Sequence, residues 1–164
     1  TNASGVSGID YWGTSINSNT FGVPSGGYDN NNGSMLAYCF AEKQGYSKFG
    51  SYVGNSNADG TFVYTGFKPA FFLVKNTNTA DNWFIWDVAR EEGDGNPMEK
   101  YLRPDMSDAE GGGSGVNDYM DFLSNGIKLR NAGSNWNSSD ATYIYMAFAE
   151  APLVGTNNVP CTAR

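Results

Sequence analysis

No histidine occurs among the 164 residues. Ser-His-Asp and Cys-His catalysis are therefore closed to this chain, and so is every histidine-ligated metal site. The two cysteines, Cys39 and Cys161, are distant and suggest no zinc or iron–sulfur centre. No P-loop is present, and Gly111-Gly112-Gly113-Ser114-Gly115 is a flexible loop with no helix after it to receive a phosphate. Paired carboxylates are the one catalytic route left, because a glycosidase needs two carboxyls about 5–10 Å apart across a cleft. Glu42 and Glu150 would be close if their strands were neighbours, and Asp87 and Asp121 also stand at strand ends. Solvated strand-end charges account for all four more simply. The chain reads as a non-enzyme.

Binding chemistry is better represented. Calcium takes several oxygens from Asp, Asn and backbone carbonyls. Asn55, Asn57 and Asp59 are the leading candidate ligands, with the loops Asp29–Asn32 and Asn76–Asp81 as alternatives. None has EF-hand spacing, and Asn and Asp favour turns simply because they tolerate left-handed backbone. Calcium is the one cofactor left open. Trp12, Tyr28, Trp83, Trp86 and Trp136 could stack on sugar rings where exposed. Trp83 and Trp86 are an odd number of residues apart, so on a strand they face opposite sides and one belongs to the core. Trp136 sits in the polar stretch Gly133-Ser134-Asn135-Trp136-Asn137-Ser138-Ser139, which marks it, with Asn135 and Asn137, as the foremost ligand contact. Trp12 and Tyr28 are secondary candidates.

These residues must be carried by strands. Aromatics make up 15% of the chain and charged residues only 16%, while Gly numbers 21. That mixture favours short strands and tight loops over helices. The period-2 pattern predicts strands over Met35–Glu42, Lys48–Gly54, Thr61–Thr65, Ala70–Lys75, Asn82–Val88 and Thr142–Ala149. Phe71 to Trp86 is the most apolar stretch and predicts the centre of a sheet buried on both sides. Asn125-Gly126 between two apolar runs predicts a hairpin. Ser107-Asp108-Ala109-Glu110 has capping-box spacing and predicts one helical turn within the long loop 90–115. The expected fold is all-β: an antiparallel β-sandwich of jelly-roll or lectin-like type, with long loops and little helix.

Residues 1–34 read as an extended arm or the end of an upstream repeat, and 35–164 as the sandwich domain. Ala37-Tyr38-Cys39-Phe40-Ala41-Glu42 echoes Tyr145-Met146-Ala147-Phe148-Ala149-Glu150, as neighbouring strands or as matching ends of two repeats. The start at Thr1, without Met, reads as a processed or mid-polypeptide beginning. Cys39 reads as a small buried residue, with a Cys39–Cys161 disulfide left open. A net charge of −7 disfavours nucleic acid and anionic lipid as partners. No apolar run approaches the roughly 20 residues of a membrane helix.

Four segments are distinctive: Tyr38 to Asn55 (YCFAEKQGYSKFGSYVGN), Phe62 to Ala70 (FVYTGFKPA), Phe122 to Arg130 (FLSNGIKLR) and Thr142 to Glu150 (TYIYMAFAE). Together they resemble a domain of unknown function found at the C-terminal end of tail fibre and structural proteins of marine tailed phages. The resemblance spans about residues 35–152 and carries no assigned active site. It implies a β-rich virion component, on a tail fibre, spike or capsid decoration, acting in particle assembly and host-surface attachment. Its implied partners are other virion proteins, further copies of itself (trimers being usual for fibres) and a host-surface glycan or protein. The implied location is the virion, outside the cytoplasm. The alternative is a carbohydrate-binding, lectin-like module of a secreted cellular protein.

Overall fold

The computed structural model describes residues 17–23, 34, 36–91, 96–112, 120–132 and 135–151. The chain divides into two compact units, Gly5–Phe40 and a second made of Ala41–Arg164 with Thr1–Ser4. The second holds every regular element among the described residues. These are β1 (Ser47–Val53), β2 (Phe62–Tyr64), β3 (Pro69–Asn76), β4 (Trp83–Asp87), a short 3-10 helix (Val88–Arg90), β5 (Met120–Leu123), β6 (Gly126–Leu129) and β7 (Thr142–Ala149). They form two sheets, ordered β1-β7-β3-β4 and β2-β6-β5, and all their pairings are antiparallel. The architecture is all-β and sandwich-like.

Alternation decides which side chains enter the core. Across the larger sheet, Tyr52–Tyr143–Asn76, Tyr145–Val74–Phe84 and Ala147–Phe72–Trp86 form three inward rows, the last two continued on β1 by Gly50 and Lys48 at the sheet's exposed edge. The smaller sheet answers with Val63, Met120, Phe122, Ile127 and Leu129, all buried. The ring of Phe72 meets that of Phe122 edge-on, with centroids 6.4 Å apart, which ties the two layers together. Gly50 is bare because a Cβ there would lie 3.0 Å from the Tyr145 hydroxyl, so the tyrosine takes its space.

Several expectations are corrected. Residues 36–42 form no strand, and Leu36, Tyr38 and Phe40 are 76%, 79% and 58% exposed. A period-2 pattern gives a segment two faces but no partner, and both flanks of β7 are already taken, by β1 and β3. The echoing segment therefore has no place beside β7. Cys39 is exposed, not buried, and Cys161 lies outside the described residues. Ser107–Glu110 forms no helix: Asp108 pairs with Arg103 and Glu110 with Arg90, and the chain runs on to a bridge between Gly111 and Tyr101. The helical turn sits instead at Val88–Arg90, where the Asp87 carboxylate accepts from the Ala89 N–H at 2.9 Å. The β5–β6 hairpin forms, but Ser124 and Asn125 are its loop and Gly126 opens β6.

Candidate functional site

The outer face of the larger sheet is where the strands present unusual chemistry. Register places Phe49–Met146–Leu73–Ile85 in one row, Ser51–Ile144–Lys75–Trp83 in a second and Ser47–Phe148–Phe71–Asp87 in a third. Eight large apolar side chains thus share one face, and none of them is fully buried. The expectation of a sheet buried on both sides is corrected: Phe72, Val74, Phe84 and Trp86 fill the core, while Phe71, Leu73, Trp83 and Ile85 stay half-exposed. Trp83 and Trp86 do point to opposite sides. A groove of about 340 Å³ opens on this face, lined mainly by Phe49, Leu73, Trp83, Ile144 and Met146.

Lys75 is the one cation in these rows, and only 2% of it is exposed. Its ammonium turns to the β3–β4 loop, donating to the Asn76 carbonyl at 2.5 Å and the Thr79 carbonyl at 3.1 Å. Loss of water lowers its pKa, and the carboxylates of Asp81 and Asp105 oppose that shift. The charge is spent on the loop, so the centre of the face is apolar and uncharged, and Asp87 stands at its margin.

The leading sequence candidate is corrected. Trp136 has no exposed surface. Its ring packs against Trp86 at 4.8 Å, Phe84 at 5.1 Å and Tyr101 at 5.9 Å. Its carbonyl accepts from the Tyr52 hydroxyl at 2.8 Å, and burial, reinforced by Tyr143, raises that phenol's pKa well above its usual value. A polar flanking sequence suggested an exposed tryptophan. In fact the adjoining Asn137 is bonded into the body of the domain, and the indole is carried inward with it.

Asn137 shows how. It is fully buried, and its side-chain oxygen accepts from the Asn55 N–H at 3.0 Å. Its amide donates to the carbonyls of Asn57 at 3.1 Å and Asn131 at 2.5 Å. Asn137 is a structural clamp, not a ligand contact, and Asn135 beside it is half-buried. The proposed calcium loop is the object clamped. The Asn55 side chain accepts from the Asn57 N–H at 3.1 Å, and that of Asn57 from the Asp59 N–H at 2.9 Å. Asp59 pairs with Lys128 at 2.6 Å, and that contact lowers its pKa. Each of the three side chains therefore already serves the loop's own structure or an ion pair. Among the described residues, no cluster of three or more acidic or cysteine side chains is placed to hold a metal.

The carboxylates considered for catalysis are also partnered. Glu42 pairs with Lys48 at 2.6 Å, Glu150 with Lys68 at 2.9 Å and Asp121 with Arg130 at 2.7 Å. Trp12 and Tyr28 lie outside the described residues. What the sequence reading passed over was Phe62-Val63-Tyr64. There the alternation alone, around a buried Val63, signals two aromatics on the solvent side.

Residues 1–152 match the family described as Domain of unknown function (DUF7483). The chain belongs to that family. No curated protein and no solved structure matches it. For this DUF7483 chain the arguments about function therefore rest on its own residues. No helix among the described residues is long and apolar enough to cross a membrane.

Proposed function

We propose that this domain is a non-enzymatic component of a bacteriophage particle, on a tail fibre, spike or capsid decoration, where it assembles with copies of itself and takes part in host-surface attachment. The resemblance of its four motifs to domains of phage structural proteins supports the setting. The observation that carries the assembly role is the outer face of the larger sheet, with Leu73, Trp83, Ile85, Ile144 and Met146 all short of burial. Contiguous apolar patches of this kind are uncommon on monomers and mark contact surfaces. The chain carries a net charge of −7, so two copies repel over most approaches and least across the apolar centre of this face. A second copy of the chain is its occupant.

Light scattering on the purified chain tests this. The expected result is a discrete closed oligomer, and Trp83→Asp, which puts a carboxylate in the groove, should dissociate it. A monomer at concentrations of tens of micromolar, or an oligomer indifferent to Trp83→Asp, refutes the role given to this face.

A further inference from the structure

We infer that the outer face of the smaller sheet is a binding site for neutral carbohydrate, with Tyr64 and Phe62 as its stacking surface. The inference deepens the host-attachment reading by naming a ligand class. It concerns a different face from the one given to subunit packing.

The argument begins with alternation. Val63 is 3% exposed and faces the core, whereas Phe62 is 42% and Tyr64 63% exposed. The two rings share the solvent side of β2. Register sets Phe62 opposite Lys128, which is opposite Asp121, and sets Tyr64 opposite Gly126, which is opposite Leu123. Phe62 therefore borders the polar pair Lys128 and Asp121, and Tyr64 the bare backbone of Gly126 with Leu123 beyond it.

The Phe62 ring is held in place. A Cβ on Gly126 would fall 2.7 Å from the Phe62 ring, so that ring lies over bare backbone. The Tyr64 ring reaches toward Gly66, whose φ of +82 turns the chain tightly behind it. Phe62 thus occupies the space a side chain would fill, and aromatics fixed before binding lose little entropy when a ligand arrives.

The polar groups around them are charged but internally neutralised. Lys128 holds Asp59 at 2.6 Å and the Gly60 carbonyl at 2.5 Å. Arg130 holds Asp121 at 2.7 Å. Two ion pairs leave no net charge to recruit an ion. They leave unused lone pairs on the carboxylates and unused N–H groups on Lys and Arg, the donors and acceptors that sugar hydroxyls match. A pyranose has C–H groups on one face, which pack on an electron-rich ring, and hydroxyls at its rim. Exposed rings beside neutralised ion pairs complement both. The clamp of Asn137 on loop 55–60 keeps Asp59 where Lys128 needs it.

Native electrophoresis in gels containing dextran, starch, mannan or galactan tests the site, with dextran sulfate as the charged control. The expected result is retardation by at least one neutral polymer. Tyr64→Ala should raise the dissociation constant about tenfold or more, and Tyr64→Trp should keep retardation or increase it. Tyr64 is exposed, so a melting curve will show that the alanine variant remains folded; should it not, loss of retardation in Phe62→Ala alongside retention in Tyr64→Trp decides the matter. Retardation by none of the four neutral polymers, by dextran sulfate alone, or equally in the wild type and Tyr64→Ala overturns the inference. Failure of the oligomer test leaves these readouts untouched, because each compares variants of the same oligomeric state.

Discussion

Replacing Trp136 by alanine is the most informative single change in this molecule. Read from sequence, Trp136 was a surface contact whose loss would spare the fold. In the structure it has no exposed surface and meets three rings, of Trp86, Phe84 and Tyr101, at 4.8 to 5.9 Å. Truncating a buried Trp or Phe costs about 3–5 kcal/mol, from lost transfer energy plus the cavity left behind. The edge-on contacts place Trp136→Ala toward the upper end, since each aromatic pair adds about 0.5–1.5 kcal/mol beyond area. For a domain of this size the melting temperature should fall by roughly 6–20 °C. Trp136→Phe should cost much less. The indole N–H of Trp136 has no hydrogen-bond acceptor among the described residues, so its removal breaks no bond, and most of the ring volume survives. Urea unfolding followed by near-ultraviolet circular dichroism reads both variants. A loss below about 1 kcal/mol for Trp136→Ala, or equal losses for the two variants, would refute the core assignment.

Asn137→Ala should destabilise by about 2–4 kcal/mol, because it removes three hydrogen bonds of a buried side chain, from the Asn55 N–H and to the carbonyls of Asn57 and Asn131; amide exchange at Asn55 should accelerate with it, and unchanged protection there would disprove the clamp. At alkaline pH, Tyr52 loses stability for the fold. Its folded pKa is raised, so its contribution is complete below the unfolded value near 10 and declines above it, by about 1.4 kcal/mol per pH unit once the unfolded phenol ionises. Tyr52→Phe should flatten that alkaline limb while lowering stability at neutral pH through the lost bond to the Trp136 carbonyl; an unaltered limb would contradict the assignment. Adding a calcium chelator should leave the melting temperature unchanged, since the loop is already held by its own Asn55 and Asn57 hydrogen bonds and the Asp59–Lys128 pair; a drop would restore a metal to this loop.

Strand positions were legible because they depend on local pattern. The alternation in Phe72-Leu73-Val74 and in Tyr143-Ile144-Tyr145-Met146 marks two faces without knowledge of any neighbour. What lay beyond the sequence was decided by distant partners. Leu36, Tyr38 and Phe40 alternate as clearly as β7 does, yet the flanks of β7 belong to β1 and β3. Trp136 was misplaced because its polar flanks suggested water, whereas Asn137 spends its amide on a loop about 80 residues away in sequence. The opposite error was made at Phe62-Val63-Tyr64, where a sound strand assignment was not carried through to its exposed side.

The order of strands in the larger sheet sets an order of events. β1 and β3 do not pair with each other; each pairs with β7, which lies between them. β1 ends at Val53, but β7 begins only at Thr142. At a synthesis rate of about 5–20 residues per second, β1 waits roughly 5–20 s on the ribosome before its partner exists. During that interval its backbone N–H and C=O groups stand open as a template for any passing strand. The sheet closes by insertion of its last strand. A change that slows translation across this interval should therefore lower the yield of folded protein without altering the stability of the molecules that succeed.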